Sequence, residues 1–140
     1  MKAKKTVAKR EQELMPYLLY NDVGRALDWL ARAFGFQEYG ERYSEKGGTI
    51  THAAMRIGRG RDAFMMGCPG SKYKNPKKLG NRTHLLYVTL NDVDKHFARA
   101  KKAGAKILEK PADTFYGHRR YGAEDPEGHQ WFFAQESKKP

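Results

Sequence analysis

The residues best suited to chemistry are a histidine in a predicted strand and an arginine before the last predicted turn. His52 lies in a stretch that alternates from Thr49 to Ile57, on its more polar face. An imidazole there can act as a general base or a hydrogen-bond donor, so His52 is the best candidate for a catalytic residue, with a structural role as the alternative. Arg119 and Arg120 precede the turn at 125–128, and one of them should point inward, with Arg119 favoured. Pointing inward, the Arg119 guanidinium would hold a carboxylate or phosphonate by paired hydrogen bonds.

Aromatic side chains are spaced so that they could form the walls of a pocket. Flat rings suit a planar or partly apolar ligand, and ordinary core or interface packing is the alternative for each ring. The candidates are Tyr17, Tyr87, Phe115, Tyr116 and Phe132. Other histidines are expected outside the site: His96 on a helix surface, and His118 and His129 facing solvent beside turns.

Length and charge limit the classes of function. At 140 residues the chain forms one domain, or two small modules that share a core. The formal net charge of +11 disfavours a cationic ligand and favours an anionic or neutral one. Basic residues concentrate in the N-terminal arm and in a loop from Lys72 to Lys78, which keeps a nucleic-acid partner as an unlikely alternative.

The location of the protein is also predicted from composition. No apolar run approaches the roughly 20 residues of a membrane-spanning helix, and the basic N-terminus has no apolar secretory segment. Cys68 is the single cysteine, which fits a reducing compartment and excludes an internal disulfide. We therefore expect a cytoplasmic protein without a membrane partner.

Two helices begin with the same three residues. Asn21-Asp22-Val23 opens an apolar stripe that runs to Phe34 and ends at Gly35, and Asn91-Asp92-Val93 opens a second helix that stops near Gly104. Strands are predicted at 16–20, 36–44, 49–57, 63–66, 83–90 and 105–109, followed by a hairpin around Asp125-Pro126-Glu127-Gly128.

This order predicts an α+β fold of two βαβββ modules that share a curved sheet around a concave trough. The predicted parts are a basic flexible arm (1–13), a first module (14–67), a linker loop (68–82), a second module (83–135) and a basic tail (136–140).

The order of elements resembles the vicinal oxygen chelate superfamily, also called the glyoxalase/bleomycin-resistance/dioxygenase fold. The ending with tryptophan is most similar to its PhnB-like and uncharacterised glyoxalase-like branches. The residues that carry the resemblance are Pro16-Tyr17-Leu18, Ala26 to Phe36, Thr51-His52-Ala53, Asn91 to Asp94, Ala103-Gly104-Ala105 and Asp125 to Trp131. The resemblance implies a small-molecule site in the trough and a homodimer.

The resemblance also bears on a metal. Metal-using members place four His, Gln or Glu ligands on inward positions of the first, fourth, fifth and eighth strands. The matching positions here are Met15, Met65, Leu85 and Phe132, or in the neighbouring register Pro16, Met66, His84 and Trp131. Thioethers and hydrocarbon side chains are poor ligands for Mg²⁺, Mn²⁺ or Zn²⁺. We therefore predict no metal and no other cofactor, and we count Met65, Leu85 and Phe132 among the residues that line the ligand site.

The main hypothesis is a protein that binds a small, anionic or neutral, partly aromatic molecule in the trough. The first alternative is a metal-independent lyase, isomerase or transferase that uses His52 and Arg119. The second alternative is a nucleic-acid-interacting protein that uses its basic arm. Whether the protein is an enzyme is left open.

Overall fold

The computed structural model describes residues 12–58 and 62–137. The predicted basic arm (1–13) and basic tail (136–140) lie largely outside the described residues. None of the helices in the described part of the chain is long and apolar enough to cross a membrane. The elements are β1 (Tyr17–Leu19), α1 (Val23–Phe34), β2 (Gln37–Glu38), β3 (Tyr43–Ser44), β4 (Ile50–Arg56), β5 (Ala63–Gly67), α2 (Pro76–Leu79), β6 (Leu86–Thr89), α3 (Val93–Lys102), β7 (Lys106–Asp113), β8 (His118–Glu124) and β9 (Gln130–Glu136).

The strands form two mixed sheets, one from each half of the chain. The first has the order β1-β5-β4-β2, with β3 also paired to β4, and the second has the order β6-β9-β8-β7. Each half therefore repeats a strand, a helix and a three-strand meander, which confirms the predicted α+β fold of two βαβββ modules. No strand pair joins the two sheets within residues 12–58 and 62–137. The modules form two separate sheets in one chain, rather than one shared curved sheet.

Side-chain caps fix where the two long helices begin. The Asp22 carboxylate accepts a hydrogen bond from the Arg25 backbone N–H, and Asp92 does the same for Lys95, so each satisfies a free amide of the first turn. Gly35 ends α1 with a φ of 75°, a conformation that favours glycine. Both helix starts and the end of α1 agree with the sequence.

The two modules share one hydrophobic core. Each sheet has one face covered by its own helix, which we call the inner face, and the two inner faces pack against each other. The Phe64 ring of the first sheet lies 5.2 Å from the Trp131 ring of the second, and Phe34 of α1 lies 4.7 Å from Phe133. Neither module would bury this apolar surface alone, because units of this size lack a sufficient core.

The turn Asp125–Gly128 locks the second module onto the first. The buried Asp125 carboxylate accepts hydrogen bonds from the Tyr20 hydroxyl at 2.7 Å and from the Trp131 indole N–H at 3.1 Å. The Glu127 carboxylate accepts from the backbone N–H groups of Asn21 and Asp22, at 2.6 and 2.9 Å. A carboxylate at the start of α1 is favoured by the helix dipole. The predicted hairpin turn is therefore also the contact between modules.

Several strand limits differ from the predictions. The predicted strand at 36–44 is broken into β2 and β3, and β6 begins at Leu86 rather than at Thr83. The strand that was predicted to end before Pro111 continues to Asp113, because β7 is an edge strand with an irregular register beside the proline. The linker at 68–82 contains the one-turn helix α2, which Asn75 caps.

Candidate functional site

Each sheet has a second face that no helix covers, which we call the open face. In the first sheet, Tyr17 pairs with Met65, and His52 pairs with Gly67, so these residues point to the same side. Tyr17 is 50% exposed, although it is a large aromatic residue. Leu19 of the same strand face is also exposed. Exposed apolar side chains grouped in this way are typical of a ligand site or an interface.

A tyrosine–histidine pair lies at the centre of the first open face. The Tyr17 hydroxyl and the His52 Nδ1 atom are 2.9 Å apart and share a hydrogen bond. The ring of Tyr43 lies 5.7 Å from the His52 ring. A β-carbon at Gly67 would lie 2.6 Å from the Tyr17 hydroxyl oxygen, so only glycine leaves room for this tyrosine. The predicted site residues Tyr17, His52 and Met65 therefore lie together.

The second open face repeats this arrangement on equivalent strands. Tyr87 of β6 pairs with Phe132 of β9, and both side chains point away from the inner face. The Tyr87 hydroxyl lies 2.9 Å from His118 Nδ1 and 3.2 Å from the Tyr116 hydroxyl. The predicted residues Tyr87, Tyr116 and Phe132 are thus brought together. His118 was expected to face solvent, but it is half-buried and belongs to this group.

An arginine completes the second open face. Arg120 donates a hydrogen bond to the Tyr116 hydroxyl oxygen at 3.0 Å and another to the Glu109 carboxylate at 3.1 Å. Its guanidinium carbon lies 5.5 Å from the centre of the Phe132 ring, a cation–π distance. We call Tyr87, Tyr116, His118 and Arg120 the tyrosine cluster.

The two tyrosines of this cluster have opposite pKa shifts. Partial burial, and then the hydrogen bond with Tyr116, raises the pKa of Tyr87 to about 12. The pKa of Tyr116 is lowered, mainly by its hydrogen bond with Tyr87 and also by the hydrogen bond and positive charge of Arg120. Of the two phenols, Tyr116 therefore loses its proton more readily.

The prediction that Arg119 points into the trough is wrong. Its guanidinium pairs with Asp94 of α3 at 3.0 Å and with Asp113 of β7 at 3.3 Å, on the side of the sheet that carries the helix. Successive residues of a strand point to opposite faces, so Arg120 takes the place on the open face. Arg119 and His52 lie on different faces of different sheets, and the structure does not bring them together.

Two histidines that were expected to be exposed belong to the core instead. His129 is buried, and its Nε2 atom donates to the Leu19 carbonyl oxygen at 2.8 Å. The half-buried His96 donates through Nε2 to the Phe34 carbonyl oxygen, so its Nδ1 atom accepts from the Tyr121 hydroxyl at 2.5 Å. Burial lowers the pKa of His96.

Two further candidates lie at the ends of strands. Phe115 is fully exposed in the turn between β7 and β8, next to Tyr116, and Leu85 is exposed just before β6. Sequence reasoning chose Arg119 over Arg120, expected His118 to face solvent and did not name Glu109 as a site residue. Side chains alternate between the two faces of a strand, so the burial of Tyr121 in the core places its neighbour Arg120 on the open face. The sequence did not show that Tyr121 is buried.

Among the described residues, the open faces do not present a set of donors for a divalent metal ion. Met65 and Phe132 hold two of the positions where metal-using relatives would place ligands, and neither side chain has an oxygen or nitrogen atom. No group of three or more His, Cys, Asp or Glu side chains is placed to hold a metal ion in residues 12–58 and 62–137. These residues do not fit Mg²⁺, Mn²⁺ or Zn²⁺.

Comparisons with known proteins agree with this geometry. A family profile described as Glyoxalase/Bleomycin resistance protein/Dioxygenase superfamily matches residues 13–133. An uncharacterised protein of Mycobacterium bovis is 34% identical over 128 residues, which cover 89% of this chain and 84% of that protein.

Among solved structures, TioX from Micromonospora sp. ML1 is 35% identical, with a TM-score of 0.72 and coverage of 89% of this chain and 98% of that chain. A PhnB protein from Bacillus cereus has a TM-score of 0.62 at 18% identity, with coverage of 89% of this chain and 99% of that chain, and shows the fold alone.

Proposed function

Because the chain belongs to the glyoxalase/bleomycin resistance protein/dioxygenase superfamily, we propose that it binds a small, planar and partly apolar molecule between its open faces. The observation that carries this proposal is the matched pair of hydrogen-bonded groups, Tyr17 with His52 and Tyr87 with His118, each at 2.9 Å. Both lie among exposed aromatic rings. Rings offer flat apolar walls, and the hydroxyl and imidazole groups supply polar contacts that orient a ligand.

The proposed trough needs a second copy of the chain. The inner faces of both sheets pack into one core, so each open face points away from that core and neither covers the other. Tyr17, Leu19, Leu85 and Tyr87 remain exposed as a result. In a homodimer, the first sheet of one copy can lie beside the second sheet of its partner, and two such troughs form by symmetry.

The charge of the chain supports an anionic or neutral ligand. The formal net charge is +11, and Arg120 lies within the second open face. The carboxylate nearest to it, Glu109, is already paired with that arginine. A cationic ligand would therefore meet an unfavourable potential and find no free partner in this cluster.

Two fluorescent probes test the ligand class. We expect anilinonaphthalene sulfonate, an aromatic anion, to bind saturably, and the aminoacridine cation to bind much more weakly. Phe132→Asp should abolish binding of the anion, because it removes a wall and adds a negative charge. Ala98→Asp, which adds the same charge at an exposed position of α3 on the helix side of the second sheet, is the matched control and should bind as the wild type does. Equal binding of both probes, or full binding by Phe132→Asp, would contradict the proposal.

Sedimentation velocity tests the second copy directly. The wild-type chain should sediment as a dimer at micromolar concentration. Leu19→Asp and Leu85→Asp each place a charge on an exposed apolar position next to an open face and should shift the equilibrium toward monomer. A wild-type protein that stays monomeric and still binds the anionic probe would show that one open face is sufficient.

A further inference from the structure

The turn between β7 and β8 holds one tyrosine over the second open face. The Thr114 hydroxyl accepts a hydrogen bond from the His118 backbone N–H at 2.9 Å and lies 3.0 Å from the His118 carbonyl oxygen. Gly117 has a φ of 87°, which closes the turn and which other residues rarely adopt. Tyr116 is therefore exposed to solvent on one side while its hydroxyl stays within reach of Tyr87 and Arg120.

The neighbours of Tyr116 favour its deprotonated form. Arg120 has only donors, so its 3.0 Å contact must be accepted by the Tyr116 oxygen. Tyr87 lies 3.2 Å from the same oxygen and 2.9 Å from His118 Nδ1. The two hydroxyls thus form a chain along which the Tyr116 proton can pass to the imidazole. The resulting phenolate would face the guanidinium group.

We propose that Tyr116 is the general base of a metal-independent reaction in the trough, with Arg120 as the group that stabilises negative charge on the substrate. This inference rests on the proposed binding function. It replaces His52 and Arg119, which the structure separates, by residues that already contact one another. The opposed pKa shifts of Tyr87 and Tyr116 agree with this division of roles. When the surroundings move the pKa values of two neighbouring groups apart, the group with the lower pKa acts as the base and the other remains a proton donor.

The chemistry that suits this arrangement is removal of a proton from carbon. The phenolate oxygen takes the proton of a C–H bond next to a carbonyl group, and the electron pair of that bond moves into the carbonyl to give an enolate. Arg120 faces the new negative charge. Return of the proton to another carbon completes an isomerisation, and loss of a leaving group completes an elimination. The substrate class is a small, planar carbonyl compound with an acidic C–H bond.

The hydrogen bonds to Tyr87 of β6 and Arg120 of β8 are the main contacts that set the ionisation of Tyr116. Around them lie Glu109 of β7, which pairs with Arg120, and His118 of β8, which shares a hydrogen bond with Tyr87. Glu136 of β9 is opposite His118 in the strand register. Arg120 is the only cation among them that contacts the phenol oxygen in the part of the chain that the structure describes.

Nitrobenzisoxazole is a suitable probe, because a single proton transfer from carbon breaks its N–O bond and yields a coloured cyano-nitrophenolate. Wild-type protein should accelerate this reaction, and Tyr116→Phe should lower the rate at least about 100-fold, as expected for loss of a general base. Tyr39→Phe, at the far end of the first sheet, should keep the wild-type rate. Arg120→Met should shift the pH–rate profile to higher pH, because the phenolate loses its positive neighbour.

Carbon-13 labelling at the ring carbon that bears the hydroxyl reads the same ionisation by NMR without any substrate. One of the eight tyrosine resonances should titrate at lower pH than a free tyrosine, and it should be absent from Tyr116→Phe. Equal nitrobenzisoxazole rates in wild type and Tyr116→Phe overturn the inference. If the protein still dimerises and binds anilinonaphthalene sulfonate in that case, the proposed binding function stands and only the acid–base role fails.

Discussion

In the described residues, three tyrosine–histidine pairs share a side-chain hydrogen bond, one on the inner faces and two on the open faces. The inner pair, His96 and Tyr121, has a contact of 2.5 Å and lies among Phe34 and Phe133. Its imidazole also donates to a backbone carbonyl, so both ring nitrogen atoms are used. Every buried side-chain nitrogen and oxygen atom has a hydrogen-bond partner in the described residues. The inner pair is therefore part of the structure that holds the modules together.

The open pairs differ because each histidine has one ring nitrogen without a protein partner in the described residues. The two open pairs also differ from each other. No arginine hydrogen-bonds to Tyr17 or His52 in the part of the chain that the structure describes, whereas Tyr87 shares a hydrogen bond with Tyr116, which accepts another from Arg120. The same two residue types thus serve stability on one face, and are free to meet a ligand on the other.

The largest effect is expected where the inner faces meet. Asp125→Ala leaves the buried Tyr20 hydroxyl and the Trp131 indole N–H without an acceptor, and should lower the free energy of unfolding by about 3–5 kcal/mol. Asp113→Ala, which removes an exposed partner of Arg119, should cost less than about 1 kcal/mol. Urea denaturation of both variants gives the comparison. Similar losses for the two would contradict the assigned role of the turn.

Each open face has one glycine at which an added methyl group would contact a neighbour, and the two substitutions should differ in their cost to stability. A β-carbon at Gly67 meets the Tyr17 hydroxyl at 2.6 Å and the Thr51 backbone oxygen at 2.8 Å, whereas at Gly122 its three nearest neighbours are ring atoms of Phe132. A ring can move more easily than backbone, so Gly67→Ala should cost more than Gly122→Ala, within about 1–3 kcal/mol. Thermal and urea unfolding measure the order, and the reverse order would count against this packing.

The inner histidine should make stability depend on pH. The pKa of His96 is lowered in the folded state. The unfolded chain therefore binds more protons than the folded protein once the pH falls below about 6.5, the ordinary pKa of histidine. Stability is therefore full above that pH and falls as the pH drops through the folded pKa, by up to about 1.4 kcal/mol per pH unit. His96→Gln should flatten the curve. Parallel curves for wild type and His96→Gln would exclude this role.

The smallest stability effects belong to the open pairs. Tyr17→Phe and Tyr87→Phe remove exposed hydrogen bonds, so each should change the free energy of unfolding by less than about 0.5 kcal/mol. Both should still weaken binding of anilinonaphthalene sulfonate, since they remove a polar contact in the trough. Calorimetric titration measures this loss, with Ala98→Asp as the control. A large loss of stability without a loss of binding would show that the open pairs have a structural role like that of the inner pair, and would contradict their assignment to the ligand site.

The sequence was sufficient for features that depend on neighbours along the chain. Asp22 and Gly35 mark the ends of α1, because capping is decided within a few residues. The module repeat was visible for the same reason. The sequence did not decide between Arg119 and Arg120 for the open face, because a shift of one residue exchanges the two faces of a strand.

Burial of the histidines could not be predicted, because their partners are distant in sequence. His96 reaches Phe34 across 62 positions, and His129 reaches Leu19 across 110. The separation of the two sheets likewise depends on how the inner faces pack, which strand alternation does not reveal. Tyr116 was named as a pocket residue from its aromatic ring, but its hydrogen bond with Arg120 depends on the turn at 114–117.

The central claim is that one trough contains open faces from two copies, and mixing two damaged chains tests it most directly. Met65→Asp damages the first open face and Phe132→Asp damages the second, so neither homodimer should bind anilinonaphthalene sulfonate. After the two variants are unfolded and refolded together, mixed dimers combine the intact first face of one copy with the intact second face of the other. Binding should return to about a quarter of the wild-type capacity. A mixture that binds no more than its separate components would contradict the shared trough.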